Sequence, residues 1–283
     1  MEFVREQLLL AITTPILVVA ILLEIAVSAW RGRKSYSLRQ TLENIYFAAL
    51  NGSFDILLRG GVLLALGWAY QGRLFTWDRS WIYWTTLLVL EDFAYWLLHF
   101  VDHKCRFFWA VHATHHSSEE FNLTTGFRSS VFQPLYRTIY FLPLAWIGFQ
   151  PLDILFMYAA TQLWGVLVHT EHIRKLGWLE YVLVTPSHHR VHHASNSRYL
   201  DKNMGMILIV WDRLFGTFVP EDEADPPRYG LTRPLPARDP LTLVFHEWRE
   251  ISRDVRERAK SWKEKLGFIF APPGWQPKTP PRT

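Results

Sequence analysis

Residues 8–29 leave a folded chain few choices, because every side chain in that run is apolar apart from Thr13, Thr14, Glu24 and Ser28. A helix rises about 1.5 Å per residue, so roughly 20 such residues cross the ~30 Å hydrocarbon core of a bilayer. Arg31, Arg33, Lys34 and Arg39 follow at once, as in a stop-transfer helix with a cytoplasmic positive flank. A cleaved signal peptide is the competing reading. The length of the run, the lack of a small-residue cleavage site and the mixed-charge start at Glu2, Arg5 and Glu6 argue against it.

A second span is predicted within residues 45–70, interrupted by Asp55 and Arg59, and a third over residues 81–101. Two shorter apolar stretches, 139–149 and 154–168, hinge at Gln150 and Pro151 and predict a helical hairpin or re-entrant pair. The expectation is an all-α integral membrane bundle of about four to five membrane helices or hairpin segments, carrying a cytoplasmic histidine-rich helical cap. With the N-terminus outside, loops 31–41 and 102–131 and the chain after His169 are cytoplasmic, and loop 71–80 is outside. In a bacterium this is the inner membrane. Cys105 is the sole cysteine, which excludes an internal disulfide and any cysteine-rich zinc or iron–sulfur site. The net charge of +4 comes from basic residues scattered near the apolar spans, so no nucleic-acid partner is implied.

The histidines obey that topology. His99 and His103 end the third span, His112, His115 and His116 follow, His169 ends the hairpin, and His188, His189, His192 and His193 lie just beyond. All fall on one side of the membrane. His99 and His103 are i and i+4 and share a helix face. The other two boxes repeat at i, i+3 and i+4, giving H-x3-H, H-x2-HH and H-x2-HH. With His169 there are nine candidate ligands, and His172 makes ten. One tetrahedral zinc uses four ligands, so the count favours two ions held by nitrogen. A histidine-rich di-iron centre would activate dioxygen, and its charge calls for a carboxylate or a bound hydroxide, the candidate carboxylates being Asp92, Asp102, Glu119, Glu120 and Glu171. His188 points away from its box and suits a supporting role, and His246 reads as a surface residue.

These boxes, set behind membrane spans, resemble the fatty acid hydroxylase and sterol desaturase superfamily. Residues 112–125 (HATHHSSEEFNLTT), 185–193 (TPSHHRVHH) and 211–218 (WDRLFGTF) are similar to its bacterial, alkylglycerol monooxygenase-like members, and the likeness runs over residues 91–275. The resemblance implies a non-haem di-iron, oxygen-dependent membrane oxidoreductase acting on a lipid. It puts two Fe ions on His99, His103, His112, His115, His116, His169, His189, His192 and His193, with His172 a further candidate. In the ether-lipid branch the implied electron donor is tetrahydrobiopterin, and hydroxylation beside the ether oxygen gives a hemiacetal that collapses to an aldehyde. An acidic residue commonly follows the second histidine of the first box in that branch, and here Lys104 stands there. Fatty acid hydroxylase or C-5 sterol desaturase-like activity is the alternative within the superfamily. A haem or metal-storage membrane protein is the alternative outside it, although a haem needs one axial pair and no H-x2-HH triplets.

The expected divisions are a transmembrane region at 1–90, a catalytic domain at 91–220, and a linker, amphipathic helix and tail at 221–283. The loop 117–130, with Glu119, Glu120, Asn122 and Arg128, is expected either to contact a headgroup or reductant or to lie at the interface with Arg128 on lipid phosphate. Glu221, Asp222, Glu223 and Asp225 read as solvated, and residues 226–240 as extended. Trp248, Ile251, Val255, Ala259, Trp262 and Leu266 predict one basic amphipathic helix, lying on lipid or on the cap. The five prolines of residues 271–283 predict a disordered end.

Overall fold

The computed structural model describes residues 2–233, 235 and 239–277. Among these residues the chain is helical, with isolated β-bridges only at Leu183–Leu208 and Ala194–Tyr229. The first five long elements are α1 (Glu2–Trp30), α2 (Leu38–Gln71), α3 (Trp81–Lys104), α4 (Arg106–His116) and α5 (Thr138–Ile147), followed by α6 (Pro151–Leu167). Short helices α7 (Pro186–His192) and α8 (Val210–Phe215) precede α9 (Pro240–Arg253) and α10 (Trp262–Phe270). Local chemistry sets the boundaries. The Ser37 hydroxyl accepts from Gln40 N–H and opens α2. Gly148, at φ +118°, turns α5 into α6, where an added Cβ would lie 2.2 Å from the Phe75 carbonyl oxygen.

The direction of each long helix follows from contacts at its ends. At one end Asn122 donates to the Ser35 carbonyl (2.6 Å) and the Ser37 amide to Glu120 (3.0 Å), so the 31–37 turn lies beside the loop after α4. At the other, the Leu74 amide donates to the Trp146 carbonyl (2.8 Å) and Arg79 pairs with Asp153 (2.9 Å). Thus α1, α3 and α6 run toward the first end, and α2 and α5 run away from it. Glu24 shows why a carboxylate sits in the first apolar run: it is buried, accepts from Leu123 N–H (2.9 Å), Tyr36 and Thr170, and ties α1 to three loops. The core between α2, α3, α5 and α6 is filled by Leu66, Tyr83, Leu87, Phe141, Leu144, Phe149 and Ile154.

Among the described residues two helices are long and apolar enough to cross a bilayer, Arg5–Trp30 and Leu38–Gln71, and only 11% and 6% of their apolar windows are buried by protein. Their outward faces, with Leu8, Ile12, Ile16, Leu22, Ile56, Leu57 and Leu64 exposed, suit lipid as the missing partner. α3 is also long, but it carries Glu91, Asp92, Asp102 and two histidines buried toward the bundle. At about 1.5 Å per residue, α5 and α6 are shorter than the ~30 Å hydrocarbon core.

Three expectations are corrected here. The single C-terminal amphipathic helix is broken: α9 unwinds through a π turn over Asp254–Arg258, Ala259 is extended, and Ser261 caps a new helix, α10. The break sits where Arg106 draws Asp254 (2.7 Å) and Glu247 (2.6 Å) onto the start of α4, so α9 packs on the cap. The acidic stretch is not simply solvated, because Glu221 pairs with Arg190 of α7 (2.7 Å) and Asp222 with Arg198 (2.6 Å). Arg128 does not reach lipid phosphate: fully buried, it donates to the Thr114 carbonyl (3.0 Å), the Ser117 hydroxyl (2.9 Å) and Asn44 (2.9 Å). The tail expectation for residues 278–283 lies outside the described residues.

Candidate metal centre

The histidines gather at the end where α3, α4, the close of α6 and α7 meet. They form two groups whose ligand atoms lie within 4.8 Å of one another: His99, His103, His112, His116 and His192 in a first pocket, and His115, His169, His189 and His193 in a second. Helix geometry explains the sorting. His112 and His116 are four apart on α4 and share the first pocket, while His115, about 100° of helix rotation from His116, faces the second. On α7 the sharing is reversed. His189 and His193 enter the second pocket and His192 the first.

Four of the nine rings are aimed by an Nδ1 bond to a backbone carbonyl. His99 Nδ1 meets the Met204 carbonyl (2.8 Å), His192 Nδ1 the Lys202 carbonyl (2.9 Å), His115 Nδ1 the Arg128 carbonyl (2.8 Å) and His169 Nδ1 the Gly165 carbonyl (2.6 Å). A carbonyl only accepts, so these Nδ1 atoms carry the proton and each Nε2 presents a lone pair inward. Nε2 atoms face one another at 3.0 Å for His99 and His112, 3.2 Å for His112 and His116, 3.0 Å for His169 and His189, and 3.1 Å for His169 and His193. Nε2 atoms brought so close must share either a proton or a cation. Nitrogens each about 2.1 Å from one ion stand roughly 3.0–3.4 Å apart. The Nε2 atoms of His103 and His192 are buried with no hydrogen-bond partner, a state that is costly unless a ligand occupies it. The residues therefore fit a metal ion in each pocket.

Electrostatics agree. Burial holds His115 down at about 4, and burial together with neighbouring imidazoles holds His112, His116, His189, His192 and His193 well below the usual histidine range. Neutral imidazole is the metal-binding form. Aromatic rings close the pockets: Trp109 lies beside His103 and His116 (centroids 5.1 and 5.4 Å), and Phe121 stacks on His169 (5.3 Å) and on Tyr229 (4.9 Å). Outside Phe121 an open cavity of about 520 Å³ is lined by Arg33, Lys34, Glu119, Glu120, Glu171 and Tyr229, among others.

Nine of the ten candidate ligands thus meet in two pockets. His172 lies outside both, and its ring nitrogens are buried without a hydrogen-bond partner. His188 holds the start of α7, its Nδ1 accepting from Thr185 N–H (3.4 Å) and its Nε2 lying 3.8 Å from Glu180. His246 is half-buried on α9 beside the Leu243 carbonyl. No carboxylate belongs to either pocket among the described residues. Of the five candidates, Asp102 comes near, 3.7 Å from His112 Nδ1 and bonded to Tyr136 (2.7 Å) and Gln133 (2.9 Å). Asp92 instead anchors the Ile207 and Leu208 amides and Trp211.

Sequence reasoning missed the segment 201–204. Asp201 meets His103 Nδ1 (3.4 Å), and the Lys202 and Met204 carbonyls take His192 and His99, so one short loop aims three first-pocket rings. Asp201 and Asn203 adopt positive φ (56° and 54°), which Asp and Asn tolerate best among non-glycine residues. Asp212 fixes this loop by accepting from the Met204 and Gly205 amides (2.8 Å each) and from Thr217 (2.5 Å), which is the work of the 211–218 motif.

The fold and site define a helical polyhistidine protein with two adjacent histidine pockets, each of which could hold a metal ion. A fatty acid hydroxylase family model matches residues 84–217, and that part of the chain belongs to this family. The chain is 36% identical over 273 residues to alkylglycerol monooxygenase from Homo sapiens, covering 94% of this chain and 60% of that protein. It is 35% identical to alkylglycerol monooxygenase from Xenopus tropicalis, with 93% and 58% covered. Ornithine lipid hydroxylase OlsE from Rhizobium tropici is 31% identical over 133 residues, 46% of this chain and 40% of that protein. The chain therefore spans less than two thirds of the length of the alkylglycerol monooxygenases it matches. No solved structure matches it.

Proposed function

We propose that the chain is an oxygen-dependent membrane oxidoreductase that holds one iron in each pocket and hydroxylates a lipid C–H bond, with an alkylglycerol ether as the substrate class. The observation that carries this reading is the inward convergence of Nε2 atoms, two of them, on His103 and His192, buried and left unpartnered. The alkylglycerol monooxygenase relatives support the ether lipid. When bound, the iron pair would supply activation of dioxygen and removal of hydrogen from an unactivated C–H bond. The chain's own part is to hold and orient. Nδ1 partners fix His99, His115, His169 and His192, and Trp109 and Phe121 keep bulk water from the imidazoles. The exposed apolar faces of α1 and α2 support entry of the substrate from the bilayer. The cavity beyond Phe121 supports a site there for a soluble electron donor, for which the ether-lipid resemblance implies tetrahydrobiopterin. In this reading residues 1–90 are the membrane region, 91–220 the catalytic domain and 221–283 its clasp, and the histidine end faces the cytoplasm, at the inner membrane of a bacterium.

The test combines elemental analysis with lipid product analysis. Wild type is expected to hold two irons and oxidise an alkylglycerol, His115→Ala or His192→Ala to lose activity by more than about 100-fold with less iron, and His246→Ala to do neither. Purified wild type without stoichiometric transition metal ends the reading.

A further inference from the structure

The two pockets differ in what stands behind their rings. In the first, His99 and His192 turn Nδ1 to backbone carbonyls, but Asp201 Oδ1 lies 3.4 Å from His103 Nδ1, and His112 Nδ1 meets the Ser130 hydroxyl (3.1 Å) with Asp102 Oδ2 3.7 Å away. In the second, His115 and His169 turn Nδ1 to backbone carbonyls, and His189 Nδ1 is buried with no hydrogen-bond partner. Among the described residues no carboxylate oxygen lies within 4.0 Å of a second-pocket ring nitrogen. The first pocket also offers five imidazoles against four.

A carboxylate behind a ligating imidazole strengthens its Nε2 as a donor and offsets part of the ion's charge in a site that water does not reach. A carbonyl does this less, and an unpartnered Nδ1 not at all. The other oxygen of Asp201 is held by Lys104 Nζ at 2.7 Å. The basic residue after the first box thus competes with His103 for that acid and draws off part of its charge.

We infer that the pockets are unequal, the first binding its ion more tightly, and that Asp201 is the positioning residue that makes it so. The inference rests on the two-ion reading above. The first pocket, with five imidazoles and two nearby carboxylates, retains its ion through turnover. The second, with four imidazoles and no carboxylate, keeps a coordination position for reactants and gives up its ion first.

The test is an anaerobic titration of the metal-stripped full chain in detergent with Fe(II), counting bound iron. Wild type is expected to show two classes of site; His103→Ala removes the tighter and His115→Ala the weaker. Asp201→Asn weakens the tighter class by about 10–100-fold and leaves the weaker unchanged, which also reports an intact fold. Lys104→Met leaves the tighter class at least as tight, because the carboxylate then acts on His103 alone. A structural ion pair would instead make both variants weaken binding. Two identical classes in wild type, or an Asp201→Asn titration matching wild type, would overturn the inference while leaving the two-ion reading intact. If Asp201→Asn loses both classes by unfolding, Lys104→Met decides, and weakened binding there sinks the proposal. Wild type that binds fewer than two irons defeats the two-ion reading itself.

Discussion

An imidazole four positions from another shares its pocket here, and its partner in the adjacent position crosses to the other. His112 and His116 against His115, and His189 and His193 against His192, follow this rule on both helices. The triplet H-x2-HH thus supplies imidazoles to both pockets from one helix, and under the proposed function to two ions. It follows that His116→Ala and His115→Ala each leave about one iron per chain, removed from different pockets, whereas His172→Ala leaves both; iron per chain after purification decides. The i, i+4 kinship of these residues is legible in the sequence, since it needs only the helical repeat of about 3.6 residues. The assignment of each ring to one pocket is not, because it depends on how α4 and α7 are rotated against each other. Burial also makes a pH prediction. His115 titrates near 4 in the fold, below the ~6.5 of an unfolded histidine, so the unfolded chain takes up protons first as pH falls. The stability contributed by this neutral ring is complete above about pH 6.5 and is lost as pH falls through 4. Chelator-treated protein should melt at progressively lower temperature from pH 6.5 downward, and a flat melting temperature across that range would contradict the burial argument.

Among the elements, the short turn over Thr125–Phe127 matters more than its size suggests. It lets Gly126 touch the end of α6: an added Cβ would sit 2.8 Å from Val166 Cα and 3.1 Å from His169 Nδ1. The nearest atom is backbone and cannot swing aside, so Gly126→Ala must shift the turn or the ring. We expect that variant to fold, to lose second-pocket iron and to lower turnover by about 100-fold, the usual consequence of misplacing a site by about 1 Å. Full activity with two irons would show that the turn yields freely. Nothing in the sequence around Gly126 announces this approach, which exists only between segments 40 residues apart. The same limit hid the loop at 201–204, whose Asp and Asn mark a positive-φ turn but not its target. It also hid the burial of Arg128, since an arginine beside a membrane reads as interfacial until Ser117, Thr114 and Asn44 are seen around it. The C-terminal pattern failed for another reason. Apolar residues from Trp248 to Leu266 keep a helical period across the break, and periodicity does not register that Asp254 is held by Arg106 and Arg258.

At the scale of the whole molecule, the chain passes back and forth so that every metal-pocket imidazole emerges at the end that holds Arg33 and Lys34. The link is physical rather than statistical: Glu24, at the last turns of α1, accepts from Leu123 N–H and from Thr170, the residue after His169. The opposite end is held as firmly, with Asp153 gathering Arg79, Arg5 and Tyr83. If α1 and α2 cross the bilayer, the 31–37 turn and the 73–80 turn must face opposite compartments, and the positive flank supports the proposal that the first is cytoplasmic. Cys105 is the sole native cysteine and is half-buried, so a Cys105→Ser background permits single-cysteine mapping. In intact cells a membrane-impermeant maleimide should label Asp78→Cys and leave Arg33→Cys unlabelled until the membrane is opened. The reverse pattern would turn the site to the other compartment without disturbing its geometry. Equal labelling of both positions would mean that the two apolar helices do not span, and substrate would then have to reach the pockets by some route other than the bilayer.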